Sequence, residues 1–148
     1  MIFLDVVTTV CIGLLIGTEF AVSVFINPIL ERLDTGTRLK TISFFAKRLG
    51  TAMPFWYALS LLLLITEAVL RRHTDGLSLL TAASALWLAV IALTLIFLVP
   101  INNRMMWLDA NSGAEKSLKE HRKWDVLHRG RVAILATSMV CFLLAILP

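Results

Sequence analysis

The chain has 148 residues, 58% of them hydrophobic and only 16% charged, with a formal net charge of +4. That composition excludes an ordinary soluble globular domain and fits a single small domain, residues 1–148, built as an integral membrane protein. The positive charge lies in short segments between apolar runs rather than in a groove or arm, so membrane lipid headgroups, and no nucleic acid, are its expected partners.

The first apolar run, 4–30, is long enough to cross a hydrocarbon core, which takes about 20 helical residues. It has no basic leader, carries Asp5 and lacks a small-residue cleavage site, so it is expected to stay in the mature protein. Gly13 and Gly17, four apart, allow another helix to approach closely in lipid, either within the molecule or in a homo-oligomer. Cys11 here and Cys141 in the last run have no metal-type spacing and read as small buried side chains.

Glu19 is the sharpest anomaly of this run, because a carboxylate at that depth must face the bundle interior, find a partner or take up a proton. Glu19, Ser23 and Asn27 fall on one helical stripe about 12 Å long at 1.5 Å per residue.

The connector that follows carries Leu39, Ile42, Phe45 and Leu49 at three- and four-residue intervals, with Arg38, Lys47 and Arg48 on other faces. This predicts an amphipathic helix lying in the membrane interface. The second run is 53–70, where Glu67 stands four residues before Arg71, the spacing of a helix-surface ion pair. The third is 77–101. Ser112 and Glu115 then have capping-box spacing, from which a helix continues into the fourth run, 128–147. Pro28, Pro54 and Pro100 fall near run ends, where a missing backbone donor is tolerated.

Twelve of the fourteen Lys and Arg lie in the first and third connectors; Arg71 and Arg72 occupy the second. Positive charge stays on the cytoplasmic side of spanning helices, so the expected fold is an all-α four-helix membrane bundle. It has amphipathic cytoplasmic connectors, both termini outside, and the bacterial inner membrane as its location. Each half reads as span, basic connector, span, with an Asn/Pro pair closing the odd-numbered span.

His121, Trp124, His128 and Arg131 follow at 3, 4, 3 spacing along one face entering the last span. In this topology Asn27, Asn102, Asn103, His128 and Arg131 reach one membrane depth, with Glu19 beneath them. An imidazole, amides, a fixed cation and a buried acid around one cavity are the ingredients of a proton-transfer site. One His plus one acid is too few for a closed zinc site, so no metal site is expected. Met105 and Met106 toward copper, and His128 toward haem, are left open, although no cofactor is predicted.

Asn27-Pro28, Val99-Pro100-Ile101-Asn102-Asn103 and Trp124-x-x-x-His128-x-x-Arg131, in this order, make the chain resemble the small membrane proteins grouped with fungal anthrone oxygenases. The resemblance implies a four-helix membrane protein. For the characterised branch it also implies oxidation of a polyketide anthrone to an anthraquinone with dioxygen and no known cofactor.

On that basis a lipophilic phenolic, anthrone-like or quinol-like molecule is the expected ligand. His128 would remove its proton, Arg131, Asn102 and Asn103 would stabilise the oxyanion, Trp124 would stack on the ring and Glu19 would hold or relay a proton. The alternative is a non-enzymatic or accessory membrane protein whose pocket holds a lipid, quinone or haem.

Overall fold

The computed structural model describes residues 1–107 and 114–147. Among these, every regular element is helical, and four helices are long and apolar enough to cross a membrane, the build of an integral membrane protein. They are α1 (Ile2–Leu30), α2 (Thr35–Leu70), α3 (Leu77–Met105) and α4 (Ala114–Ile146). Ile12, Leu15, Leu64, Leu80, Trp87, Leu135 and Phe142, drawn from all four, are fully buried at the centre.

Where regular periodicity was expected throughout α1 and α3, each contains one wide turn. Val22–Ile26 and Thr94–Leu98 are π-helical, with the N–H of Asn27 donating to the Val22 carbonyl and that of Val99 to the Thr94 carbonyl. Both turns begin six residues before a proline, Pro28 or Pro100. Proline removes a backbone donor and its ring collides with the carbonyl four residues back, and a five-residue turn relieves that collision. The two halves of the chain therefore share one local device. Its cost to sequence reading is angular: an extra residue in a turn rotates all that follows by about 100°.

The interfacial connector helix is corrected. Residues 38–49 form the first turns of α2, continuous with the span for 36 residues. Their apolar face packs inward: Leu39, Ile42 and Ala46 are buried, and Ile42 and Ala46 cluster with Leu30, Ile101 and Met105. Bundle neighbours, rather than lipid, supply the apolar surface that the periodicity demands. Asp34 caps this helix by accepting the Thr37 N–H at 3.1 Å, and these hydrogen bonds hold its carboxyl below the ordinary value.

Pro54 accordingly lies inside α2 rather than at its end. At the other basic connector, Ser112 lies outside the described residues, while α4 runs unbroken from Ala114 into the span. Gly13 faces Met139 of α4, and among the described residues no atom lies within 4 Å of where a Gly17 Cβ would be.

The Glu67–Arg71 pair is present but is not on the surface. Glu67 is fully buried and Arg71 nearly so; Arg71 also bonds Asp5 at 2.6 Å, and Thr8 donates to Glu67 at 3.1 Å. Contacts from α1 cover what would otherwise be an open helix face.

Candidate active site

The face of α4 that carries His121, Trp124, His128 and Arg131 points into the bundle. Trp124 stacks on His128 with ring centroids 4.5 Å apart and planes 12° from parallel, and His121 continues the stack at 6.2 Å. Beyond the stack, Arg131 gathers groups from every helix. One terminal nitrogen donates to Glu19 Oε2 of α1 at 2.6 Å and lies 2.8 Å from His128 Nδ1. The other donates to Thr94 Oγ1 of α3 at 3.3 Å, and the guanidinium sits 5.6 Å over the ring of Tyr57 on α2. Tyr57 in turn donates its hydroxyl to Glu19 Oε1 at 2.9 Å. Trp87 fixes Tyr57 from α3, its indole N–H donating to the Tyr57 carbonyl at 3.1 Å.

All of these charges are out of solvent, with Glu19 2% and Arg131 7% exposed. Removing one partner of such a pair strands the other and costs about 3–5 kcal/mol. The mutual bonds of Glu19, Tyr57 and Arg131 therefore keep α1, α2 and α4 in register around the carboxylate, and Thr94 ties in α3.

The imidazole's state follows from its neighbours. Arginine only donates, so its 2.8 Å contact uses the Nδ1 lone pair of His128. Nε2 then carries the proton and donates to the Glu19 backbone carbonyl at 3.0 Å. Nδ1 also lies 3.1 Å from Glu19 Oε2, but a proton there would face the arginine. His128 is thus a neutral brace with both nitrogens engaged, which leaves no lone pair for the general-base role expected from its residue type.

Next to these groups lies a cavity of about 320 Å³, in the size range of small-molecule sites. Glu19, Tyr57 and Arg131 form its polar wall, and Met53, Ile91 and Leu98 are among its apolar lining. Among the described residues, Nε of Arg131 is buried without a hydrogen-bond partner. An unpaired donor of that kind is costly, and Nε and one terminal nitrogen of Arg38 share the condition.

Six of the seven residues singled out in the sequence line this cavity: Glu19, Asn102, Asn103, Trp124, His128 and Arg131. Asn27 does not. The wide turn at Val22–Ile26 carries it round to Asp125, to which it donates, beside a smaller hollow of about 40 Å³. Asn102 is partly committed too, its amide donating to the Ala46 carbonyl at 3.2 Å. Asn103 is exposed at the rim.

Sequence reasoning missed Tyr57, Thr94 and Gly50. Tyr57 is the chain's one tyrosine, and a phenol inside an apolar run needs a partner, which was the available signal. Gly50 marks a close approach: a Cβ there would lie 2.7 Å from the Asn102 amide nitrogen, so that side chain would have to move. No group of three or more His, Cys, Asp or Glu able to hold a metal occurs among the described residues.

A family model described as anthrone oxygenase matches residues 42–141. The chain belongs to the anthrone oxygenase family. The matched segment holds Tyr57, Thr94, Asn102, Asn103, Trp124, His128 and Arg131, whereas Glu19 comes from outside it, on α1. No curated protein and no solved structure matches the chain.

Proposed function

We propose that this anthrone oxygenase family member binds a lipophilic phenolic, anthrone-like or quinol-like molecule in the Arg131 cavity and promotes its oxidation by dioxygen. In this reading the basic loops face the cytoplasm of a bacterial inner membrane. The observation that carries the proposal is the Arg131–Glu19 pair, joined by Tyr57, set in the wall of a largely apolar hollow of small-molecule size.

The ligand's carbonyl or hydroxyl oxygen accepts from Arg131. Glu19 takes the acidic C–H or O–H proton, and the electron pair left behind delocalises onto that oxygen as an enolate or phenolate. Charge stays balanced: as Glu19 becomes neutral, the new anion replaces it opposite Arg131, so the cavity never holds an uncompensated charge. Thr94 and Tyr57 orient the guanidinium, and His128 holds it from behind. The electron-rich anion then reacts with dioxygen. For an anthrone, one molecule and one dioxygen give one anthraquinone and one water, so no external reductant is needed.

The test is oxygen uptake and anthraquinone formation by the purified protein with anthrone, compared with Glu19→Gln. The expected result is stoichiometric product with the parent protein and loss of turnover in the variant. Equal rates for the two would remove Glu19 as the proton acceptor; no acceleration over buffer by the parent would remove the proposal.

A further inference from the structure

Several residues that line the cavity are also exposed on the outside of the bundle: Gly50, Pro54 and Ala58 on α2, and Leu95 and Asn103 on α3. A residue that meets the hollow and the exterior at once marks an opening. Here the opening lies in the seam between α2 and α3. Around Pro54, Ala58 and Leu95 its surroundings are apolar and outward-facing, with Phe55 75%, Ile96 63% and Leu95 62% exposed, while its Gly50 and Asn103 end lies beside exposed Arg48 and Arg104. The apolar stretch belongs to spans of high mean hydropathy, so that part of the opening meets acyl chains.

Both ends of the seam are closed by cross-helix bonds, Trp87 to the Tyr57 carbonyl at one end and Asn102 to the Ala46 carbonyl at the other. Gly50 and Pro54 between them, and Ala58 just past the Tyr57 bond, recur every four residues, a strip of small side chains about 12 Å long on one face of α2. Both edges are locally yielding. Pro54 leaves the Gly50 carbonyl without its helical donor, and the opposite edge is the π turn Thr94–Leu98 before Pro100.

We propose that a planar, uncharged phenol or enolisable ketone reaches Arg131 sideways from the bilayer, through the slit between α2 and α3 whose width Gly50, Pro54 and Ala58 set. The inference rests on the reading of the cavity as a ligand site and adds the route and the shape filter. A flat ring system passes edge-on between small residues; a charged molecule, excluded from the acyl region, does not reach the slit.

The test uses the full chain in lipid nanodiscs with anthrone as the probe, followed by stopped-flow quenching of tryptophan fluorescence. Ala58→Trp narrows the slit on α2 and Leu95→Trp narrows it on α3. Each is expected to slow association and dissociation together by about tenfold with little change in Kd, because a mouth alters rates and not the bound state. Leu59→Trp, which places the same bulk on α2 away from the cavity lining, is expected to bind at the parent rate. Unchanged rates in both slit variants overturn the route, as does a weakened Kd with unchanged association, which would mean the new rings fill the cavity instead. Arg131→Met separates this from the underlying reading: a parent-like Kd there defeats the ligand site even where the slit variants slow binding. Absence of any anthrone signal from the parent protein overturns both.

Discussion

Two buried arginine–carboxylate knots stand at different levels of one bundle. At the end near the termini, Arg71 is held by Glu67 and Asp5, with Thr8 on the second oxygen of Glu67. Deeper in the bundle, Arg131 is held by Glu19, with Tyr57 on the second carboxylate oxygen and His128 behind. The parts are nearly the same: an acid, a guanidinium and a hydroxyl out of solvent. Their surroundings differ. Neither hollow reaches the Glu67 knot, whereas the Glu19 knot forms one wall of a cavity and keeps an unpaired donor. A knot packed round by side chains binds helices together; one that walls a hollow is able to bind something else as well.

Substituting the acids breaks the comparison most sharply. Glu19→Gln keeps size and hydrogen bonding but cannot accept the substrate's proton, so anthrone turnover is expected to fall by about 10²–10⁴-fold, the usual worth of general acid–base catalysis. Glu67→Gln is expected to leave turnover of the folded protein unchanged. An assay normalised to protein recovered from size-exclusion chromatography decides the matter; equal losses at both sites would mean that both knots are merely structural.

The arginines come next. Arg71→Met strands Glu67 in a sealed interior, and a stability loss of about 3–5 kcal/mol is expected, measured as a lowered thermal midpoint in detergent. Arg131→Met should lose a similar amount, because Glu19 is stranded in the same way. Only the latter should also lose anthrone binding. Retained anthrone affinity in folded Arg131→Met would make the two knots equivalent after all.

The knots also differ in how far the sequence exposes them. Glu67 and Arg71 are four apart, so their pairing is visible locally; their burial is not, because it depends on Asp5 and Thr8 arriving from α1. Glu19 and Arg131 are 112 positions apart, and only the cost of an isolated acid in an apolar run pointed to a partner. The four spans were legible because lipid demands long apolar runs. The length of α2 was not: Leu39 and Ile42 show the same periodicity whether they face acyl chains or Ile101 and Met105. Asn27 was misassigned through a π turn that conventional helix counting omits. His128 lines the cavity wall, where its two nitrogens meet Arg131 and the Glu19 carbonyl, contacts that residue type alone does not reveal.

Hydroxyl deletions sharpen the comparison at lower amplitude. Tyr57→Phe and Thr8→Val each remove one hydrogen bond to a buried carboxylate, worth about 1.5–3 kcal/mol to a charged group. Both are expected to lower the thermal midpoint by similar amounts. Tyr57→Phe alone should also alter the rate with anthrone, since its hydroxyl shares the oxygen pair that takes the proton. Unchanged kcat in Tyr57→Phe would confine that hydroxyl to holding Glu19 in place.

The smallest effect probes the cavity rather than either knot. Gly50→Ala brings a methyl to 2.7 Å from the Asn102 amide nitrogen, a distance that ordinary contacts do not tolerate. What must yield is the end of a side chain, so the helices need not part; Asn102 turns and gives up the Ala46 carbonyl, a bond worth about 1 kcal/mol. The thermal midpoint should therefore fall slightly, while the Glu67 knot, at the far end of the same helix, feels nothing. Combining Gly50→Ala with Thr8→Val should give additive losses, as distant sites do. Combining it with Asn102→Ala should not, because the second change removes the side chain that the first displaces. Additivity in that second pair would mean that Gly50 makes room for something other than Asn102.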